Sequence, residues 1–133
     1  MTPDFHDIDD KFREECGVFG IYDHQDSAAM TALGLHALQH RGQEACGIVS
    51  FDGETYHSRR ALGLVDATFS RAEVIDRLPG FAAIGHNRYS TTGESNFRNV
   101  QPLYADMKFG GFACAHNGNL TNARTLRERL VQK

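Results

Sequence analysis

The chain has 133 residues, of which 41% are hydrophobic and 23% are charged, and these values are ordinary for one soluble globular domain. Its 14 basic and 17 acidic residues give a formal net charge of -3, so the charge balance does not indicate binding to nucleic acid or to an anionic membrane. No apolar run approaches the roughly 20 residues that a membrane-spanning helix needs. We therefore expect a cytoplasmic domain with neither nucleic-acid nor membrane partners.

The cysteines and the first fifteen residues indicate the cellular compartment and the nature of the leader. Cys16, Cys46 and Cys114 are odd in number and widely spaced, which signals neither a disulfide framework nor a zinc site and fits a reducing compartment. Residues 1–15 contain six acidic side chains and no apolar segment, so they are not a secretory signal. Two interpretations of this leader are open: a charged, frayed terminus, or a propeptide that caps the residue after it.

That residue is Cys16, which begins an apolar run predicted to be a central strand over 16–22. If the bond between Glu15 and Cys16 is cut, one carbon carries both a thiol and a free α-amine. An α-amine with a pKa near ~7.7–8.0 can take the proton of a thiol with a pKa of about 8.5. This would make Cys16 an N-terminal nucleophile. The alternative is an ordinary buried cysteine at the start of a strand.

A helix is predicted after a turn at residues 23–26. Ser27 is a suitable N-cap, and the helical spacing extends to about His40. The apolar residues that recur at this spacing form one predicted stripe: Met30, Leu33, Ala37 and Leu38. Leu35 lies off the stripe and is expected to meet a second surface.

Three more apolar runs predict strands. They span 45–51, 81–89 and 109–116, and the pair Asp52-Gly53 predicts a hairpin that returns antiparallel over 54–60. A short helix is expected over 70–78, and Asn122 can cap a final helix.

Polar side chains stand at the ends of these predicted strands. Arg88 ends one strand, where it is either a surface arginine or a group that binds a carboxylate bidentately, with a hydroxyl from Thr91 or Thr92. Asn117-Gly118 follows another strand and forms either a tight turn or an oxyanion hole made of a side-chain amide and a backbone N–H. Arg41 precedes a strand, where it is either a salt-bridged scaffold residue or a ligand contact.

Four ordered motifs resemble those of the class II glutamine amidotransferases. They are Glu-Cys-Gly-Val-Phe-Gly-Ile at 15–21, Leu-Gln-His-Arg-Gly-Gln-Glu at 38–44, Gly-His-Asn-Arg-Tyr-Ser-Thr at 85–91 and Ala-His-Asn-Gly-Asn-Leu at 115–120. Within that class, the leader and the second motif are most similar to the members that begin purine synthesis. The resemblance implies an α+β N-terminal-nucleophile fold, a four-layer αββα sandwich of two antiparallel sheets, here truncated on its C-terminal side.

The resemblance also implies an activity and its residues. Residues 1–15 would be a propeptide, and 16–133 would be the first part of a glutaminase domain that hydrolyses glutamine to glutamate and ammonia for phosphoribosylamine formation. Cys16 would attack the carboxamide carbon, while Asn117 and the N–H of Gly118 would hold the oxyanion. Arg88 would bind the α-carboxylate of the substrate with help from Thr91, and Arg41 would order the turn beside the nucleophile.

The same resemblance implies partners outside this chain. A phosphoribosyltransferase domain with its Mg²⁺ is expected in the rest of the full-length protein, and so is the iron–sulfur cluster that some members carry, since Cys46 and Cys114 match none of its ligands. We expect no cofactor or metal within this chain, and a homo-oligomer at full length. The alternative is a truncated scaffold or binding fragment of the same fold that turns nothing over.

Overall fold

A computed structural model describes residues 16–89, 96–118 and 120–132. The leader 1–15 and the predicted substrate residue Thr91 lie outside the described residues. The described elements follow one another as β1 (Cys16–Tyr22), α1 (Ser27–Ala37), β2 (Ala45–Phe51), β3 (Tyr56–Leu62), α2 (Val65–Phe69), α3 (Ala72–Ile75), β4 (Ala82–Arg88), β5 (Leu103–Met107), β6 (Gly110–Cys114) and α4 (Ala123–Val131), with short 3-10 helices at Gln39–Arg41 and Phe97–Asn99.

The strands form two antiparallel sheets. The larger sheet has the order β1-β4-β2-β3, and the second pairs β5 with β6. The predicted hairpin joins β2 to β3, and Gly53 takes a φ of 106° in its turn, a conformation that favours glycine. The predicted α+β class with two antiparallel sheets is therefore confirmed.

The two faces of the larger sheet have different neighbours. On one face α1 packs so closely that a Cβ at Gly85 would lie 2.6 Å from the side chain of Thr31. On the other face lies the β5–β6 sheet, where the rings of Tyr56 and Tyr104 are 5.4 Å apart between centroids. The core lies mainly on the helix side, around residues such as Leu35 and Ile48. All described residues of α4 are exposed.

The predicted orientation of α1 is wrong. Leu33 of the expected stripe is 63% exposed, whereas Leu35, expected off the stripe, is fully buried together with Ala28 and Thr31. The face that meets the sheet is decided by Gly85, where the missing side chain leaves room for both Thr31 and Leu35. The start of the helix also differs from the prediction, since the hydroxyl of Ser27 donates to the carbonyl of Gly80 (2.8 Å) instead of capping the helix.

Two elements were not predicted from the sequence. All five residues of β5 are exposed, so the strand has no alternation of buried and exposed positions. With five residues, α2 is too short to show a helical period. Among the described residues, no helix combines the length and apolar character required to cross a membrane.

Candidate active site

Sheet register places Cys16 beside Arg88. Cys16 begins β1, and its Cα partner in β4 is Arg88, which also pairs with Ala45 of β2. Directly opposed residues of antiparallel strands project to the same face, with Cβ atoms roughly 4.5–5.5 Å apart. The half-buried thiol of Cys16 and the guanidinium of Arg88 therefore lie on the face away from α1. The Sγ atom of Cys16 is 3.8 Å from the carbonyl oxygen of Tyr89.

Two side chains donate to the carbonyl oxygen of Cys16. One is Nε of Arg41, at 2.8 Å, and the other is Nδ2 of Asn117, at 3.0 Å. Arg41 reaches it from the turn after α1, and Asn117 is 101 residues further along the chain than Cys16. The fold thus brings the predicted residues Arg41, Arg88 and Asn117 together around Cys16.

The turn that carries Arg41 is held by groups on both sides. The side-chain carbonyl of Gln39 accepts from the N–H of Val65 at 2.7 Å, and a Cβ at Gly42 would lie 2.8 Å from the backbone of Asn87. Glycine is therefore required where the turn crosses β4. Gln39 and Gly42 were not singled out as site residues, although both belong to the motif at 38–44.

Asn117 and Gly118 are both exposed residues. Gly118 has a φ of 120°, which lies in the region that favours glycine. An amide Nδ2 carries two hydrogens. One can serve the carbonyl of Cys16 while the other remains for a ligand.

Arg88 is oriented by one hydrogen bond and keeps another donor. Its Nη1 donates to the carbonyl of Asn99 at 2.9 Å. Its Nε is buried and has no hydrogen-bond partner among the described residues. An unpaired buried donor is costly, so this atom is where an acceptor would be most favourable.

His86 lies two residues before Arg88 on the same face of β4 and was not predicted as a site residue. It is 1% exposed, and neither ring nitrogen has a partner in hydrogen-bonding geometry among the described residues. Burial lowers the pKa of His86 to about 4, and the charges of Arg88 and His116 lower it further, while the main chain of His116 partly offsets them. The imidazole is therefore neutral at pH 7.

No metal centre is apparent in the described part of the chain, where no three His, Cys, Asp or Glu side chains come together. Cys46 is buried in the core beside Thr68, and burial raises the pKa of its thiol. A single buried thiol beside a threonine hydroxyl does not supply the ligands of an iron–sulfur cluster or of Mg²⁺.

A cavity of about 420 Å³ opens between the two sheets at the far end of β1 from Cys16. Its lining is mainly apolar and includes Ile21, Val49 and Ile84. None of the lining residues is a predicted site residue, so the cavity and the cluster around Cys16 are separate features.

The chain is similar in sequence to several amidophosphoribosyltransferases. The chain is 60% identical to an amidophosphoribosyltransferase of Rhizobium etli over 122 residues, which is 92% of this chain and 25% of the relative. It is 52% identical over 126 residues to a chloroplastic amidophosphoribosyltransferase of Glycine max, 95% of this chain and 22% of the relative. The chain thus spans about a quarter of the length of these relatives. No protein-family model matches it.

The fold of this chain is similar to solved structures of the same kind of enzyme. The fold matches a structure named as the allosteric regulatory enzyme of purine biosynthesis, with a TM-score of 0.80 and 45% identity over 86% of this chain and 25% of that one. It also matches the glutamine phosphoribosylpyrophosphate amidotransferase of B. subtilis, complexed with ADP and GMP, with a TM-score of 0.77 and 43% identity over 86% of this chain and 24% of that one. With such identity over most of its length, the chain belongs to the amidophosphoribosyltransferase family.

Proposed function

We propose that this chain forms the glutamine-hydrolysing site of an amidophosphoribosyltransferase and that Cys16 is its nucleophile once the bond to Glu15 is cut. The observation that carries the proposal is the convergence on Cys16 of three residues distant in sequence. Arg88 lies opposite it in the sheet, and Arg41 and Asn117 both donate to its carbonyl oxygen. These donors hold the backbone of the nucleophile and leave its thiol on the open face.

The chemistry then follows from the freed α-amine. It takes the thiol proton, and the thiolate of Cys16 forms a bond to the carboxamide carbon of glutamine. The oxygen becomes an oxyanion, which accepts from the second N–H of Asn117 and from the N–H of Gly118. When the intermediate collapses, the C–N bond breaks and the α-ammonium returns its proton to the departing ammonia.

Hydrolysis of the thioester completes the cycle. Water adds to the thioester carbon with the α-amine of Cys16 as base, and the same two donors hold the second oxyanion. The C–S bond then breaks, the sulfur regains its proton, and glutamate leaves. Each step uses groups of this chain, the substrate and water alone.

Arg88 is proposed to bind the α-carboxylate of glutamine. The bond from Nη1 to Asn99 orients the plane of the guanidinium, and the unpartnered Nε lies on an edge suited to a carboxylate. Thr91, which lies outside the described residues, is proposed to add a hydroxyl donor. Arg41 is proposed to keep the turn against Cys16.

The use of the ammonia is assigned to the remainder of the full-length protein. The relatives that share the name amidophosphoribosyltransferase are about four times as long as the matched region, which leaves room for a phosphoribosyltransferase part with its Mg²⁺ and, in members that have one, an iron–sulfur cluster. We propose a homo-oligomer in the cytoplasm. Light scattering and cell fractionation test these two points.

The experiment for the central proposal uses the full-length protein from its native cell. Intact mass and N-terminal sequencing should give a chain that begins at Cys16. An electrophilic glutamine analogue should then label it covalently at one thiol. Cys16→Ala should abolish both labelling and glutamine hydrolysis, whereas Cys114→Ala, which removes another half-buried thiol, should keep both. A processed chain that hydrolyses no glutamine and takes no label would contradict the proposal and favour the inactive scaffold.

A further inference from the structure

Residues 97–101 lie across the larger sheet and are held by three of its strands. Arg60 of β3 donates to the carbonyl of Val100 at 3.0 Å, and Arg88 of β4 donates to that of Asn99 at 2.9 Å. At β2 the contact is closer still, since a Cβ at Gly47 would lie 2.2 Å from the carbonyl oxygen of Gln101. Val100 is 1% exposed. This segment is therefore a fixed part of the scaffold beside the site.

From this segment, the side chain of Gln101 reaches the residues that follow β6. Its Oε1 accepts from the backbone N–H of His116 at 2.6 Å. The next residue is Asn117, whose amide meets the carbonyl of Cys16 at 3.0 Å. Gln101 thus holds the residue that directly precedes the proposed oxyanion donors. It does so from a segment attached to the sheet that carries the nucleophile.

Sheet register explains why a side chain is used at this point. The β5–β6 ladder ends at the pair Leu103 and Cys114. Continued by two residues, the same register would oppose Gln101 to His116. The main-chain carbonyl of Gln101 is directed to Gly47 instead, and the side-chain carbonyl makes the bond to His116. The residues that lead to Asn117 are therefore held in place although they lie beyond the end of the β5–β6 ladder.

We propose that Gln101 is a positioning residue for the oxyanion-binding groups of Asn117 and Gly118. This inference rests on the proposed glutaminase function. Donors stabilise a transition state when they are already in place as the charge develops. Without the bond from Gln101, the N–H of His116 loses its acceptor and the following two residues must be ordered during the reaction, which slows turnover more than it weakens binding of the ground state.

The predicted signature is a split between kcat and KM for glutamine. Loss of one direct oxyanion donor typically lowers kcat roughly 100- to 1,000-fold. An indirect effect should be smaller, so we expect kcat to fall about 10-fold or more in Gln101→Met and Gln101→Asn, with KM changed by less than about threefold. Gln101→Glu keeps an acceptor oxygen at the same reach and should recover most of the lost kcat.

The test measures glutamine hydrolysis by the full-length, processed protein and its variants, well below their melting temperatures. Ser27→Ala is the control, because it too removes one hydrogen bond between a side chain and the main chain. The hydroxyl of Ser27 donates to the carbonyl of Gly80 at 2.8 Å, far from Cys16, so this variant should keep the wild-type kcat. The Asn variant is polar and too short to reach His116, so it decides the question if the Met variant does not fold.

Three outcomes separate the inference from the function on which it rests. A wild-type protein that hydrolyses glutamine while Gln101→Asn keeps kcat within about twofold overturns the role of Gln101 alone. A Gln101→Glu variant that folds and loses as much kcat as Gln101→Asn also overturns it. A processed wild-type protein with no glutaminase activity overturns the proposed function first.

Discussion

Replacing His86 with glutamine should change how the stability of the fold depends on pH. His86 is 1% exposed on β4, and its two ring nitrogens have no hydrogen-bond partner among the described residues. Burial lowers its pKa to about 4 from an ordinary value of 6.5. The folded state therefore resists protonation of this ring, whereas the unfolded chain accepts a proton readily.

The sign and size of the effect follow from linkage. Well above pH 6.5 the ring is neutral in both states and makes no contribution to the pH dependence of stability. As the pH falls from 6.5 to about 4, the unfolded state binds a proton that the folded state of His86 does not, so stability decreases. The complete loss is about 3 kcal/mol, of which about 2 kcal/mol falls between pH 7 and pH 5.

Urea unfolding of the 133-residue chain at pH 7, 6 and 5 measures this loss. The other titrating groups are common to both proteins, so subtraction isolates His86. The wild type should lose about 2 kcal/mol more than His86→Gln between pH 7 and pH 5. His40→Gln removes an exposed histidine and should follow the wild type. Parallel pH profiles for wild type and His86→Gln would refute the reasoning.

Three other predictions concern the site and the core. In the full-length enzyme, Arg88→Ala should mainly raise KM for glutamine, by about 10-fold or more, because a charged hydrogen bond is lost. Asn117→Ala should mainly lower kcat, roughly 100-fold or more. Unchanged steady-state kinetics for both variants would refute the proposed roles of these two residues. Gly34→Ala should lower the free energy of unfolding by about 1–3 kcal/mol, since its Cβ would lie 2.4 Å from the ring of Phe19; an unchanged urea midpoint would contradict that packing. Burial raises the pKa of the Cys46 thiol, so this thiol should react with an aromatic disulfide reagent only after unfolding, and fast labelling in the native state would disprove its burial.

Local sequence patterns predicted most of the larger sheet. Apolar runs located β1, β2 and β4 to within a residue or so. β2 and β4 are the interior strands of the sheet, which need continuous apolar side chains, and β1 is an apolar strand that pairs with β4 at its edge. The pair Asp52-Gly53 located the hairpin through the positive φ that glycine accepts. β5 has five exposed residues, and such a strand carries no pattern of this kind.

The buried face of α1 could not be predicted in this way. A search for large apolar residues at helical spacing selects Leu33, which is 63% exposed. The contact is decided by the partner surface, where Gly85 allows Thr31 to approach the sheet. A helix sequence alone carries no information about which of its faces meets a glycine of a distant strand.

The site likewise depends partly on the local sequence and partly on the tertiary structure. The sequence by itself determined which groups were available: a cysteine ahead of a strand, Arg88 at the end of another, and an Asn-Gly pair after a third. Only the tertiary structure decided that Cys16 lies opposite Arg88 and that Asn117, 101 residues away, meets its carbonyl. Pairing register and the path of residues 97–101 are set by long-range hydrogen bonds and close contacts, including the one that brings Gln101 to His116. Local propensity does not encode such contacts.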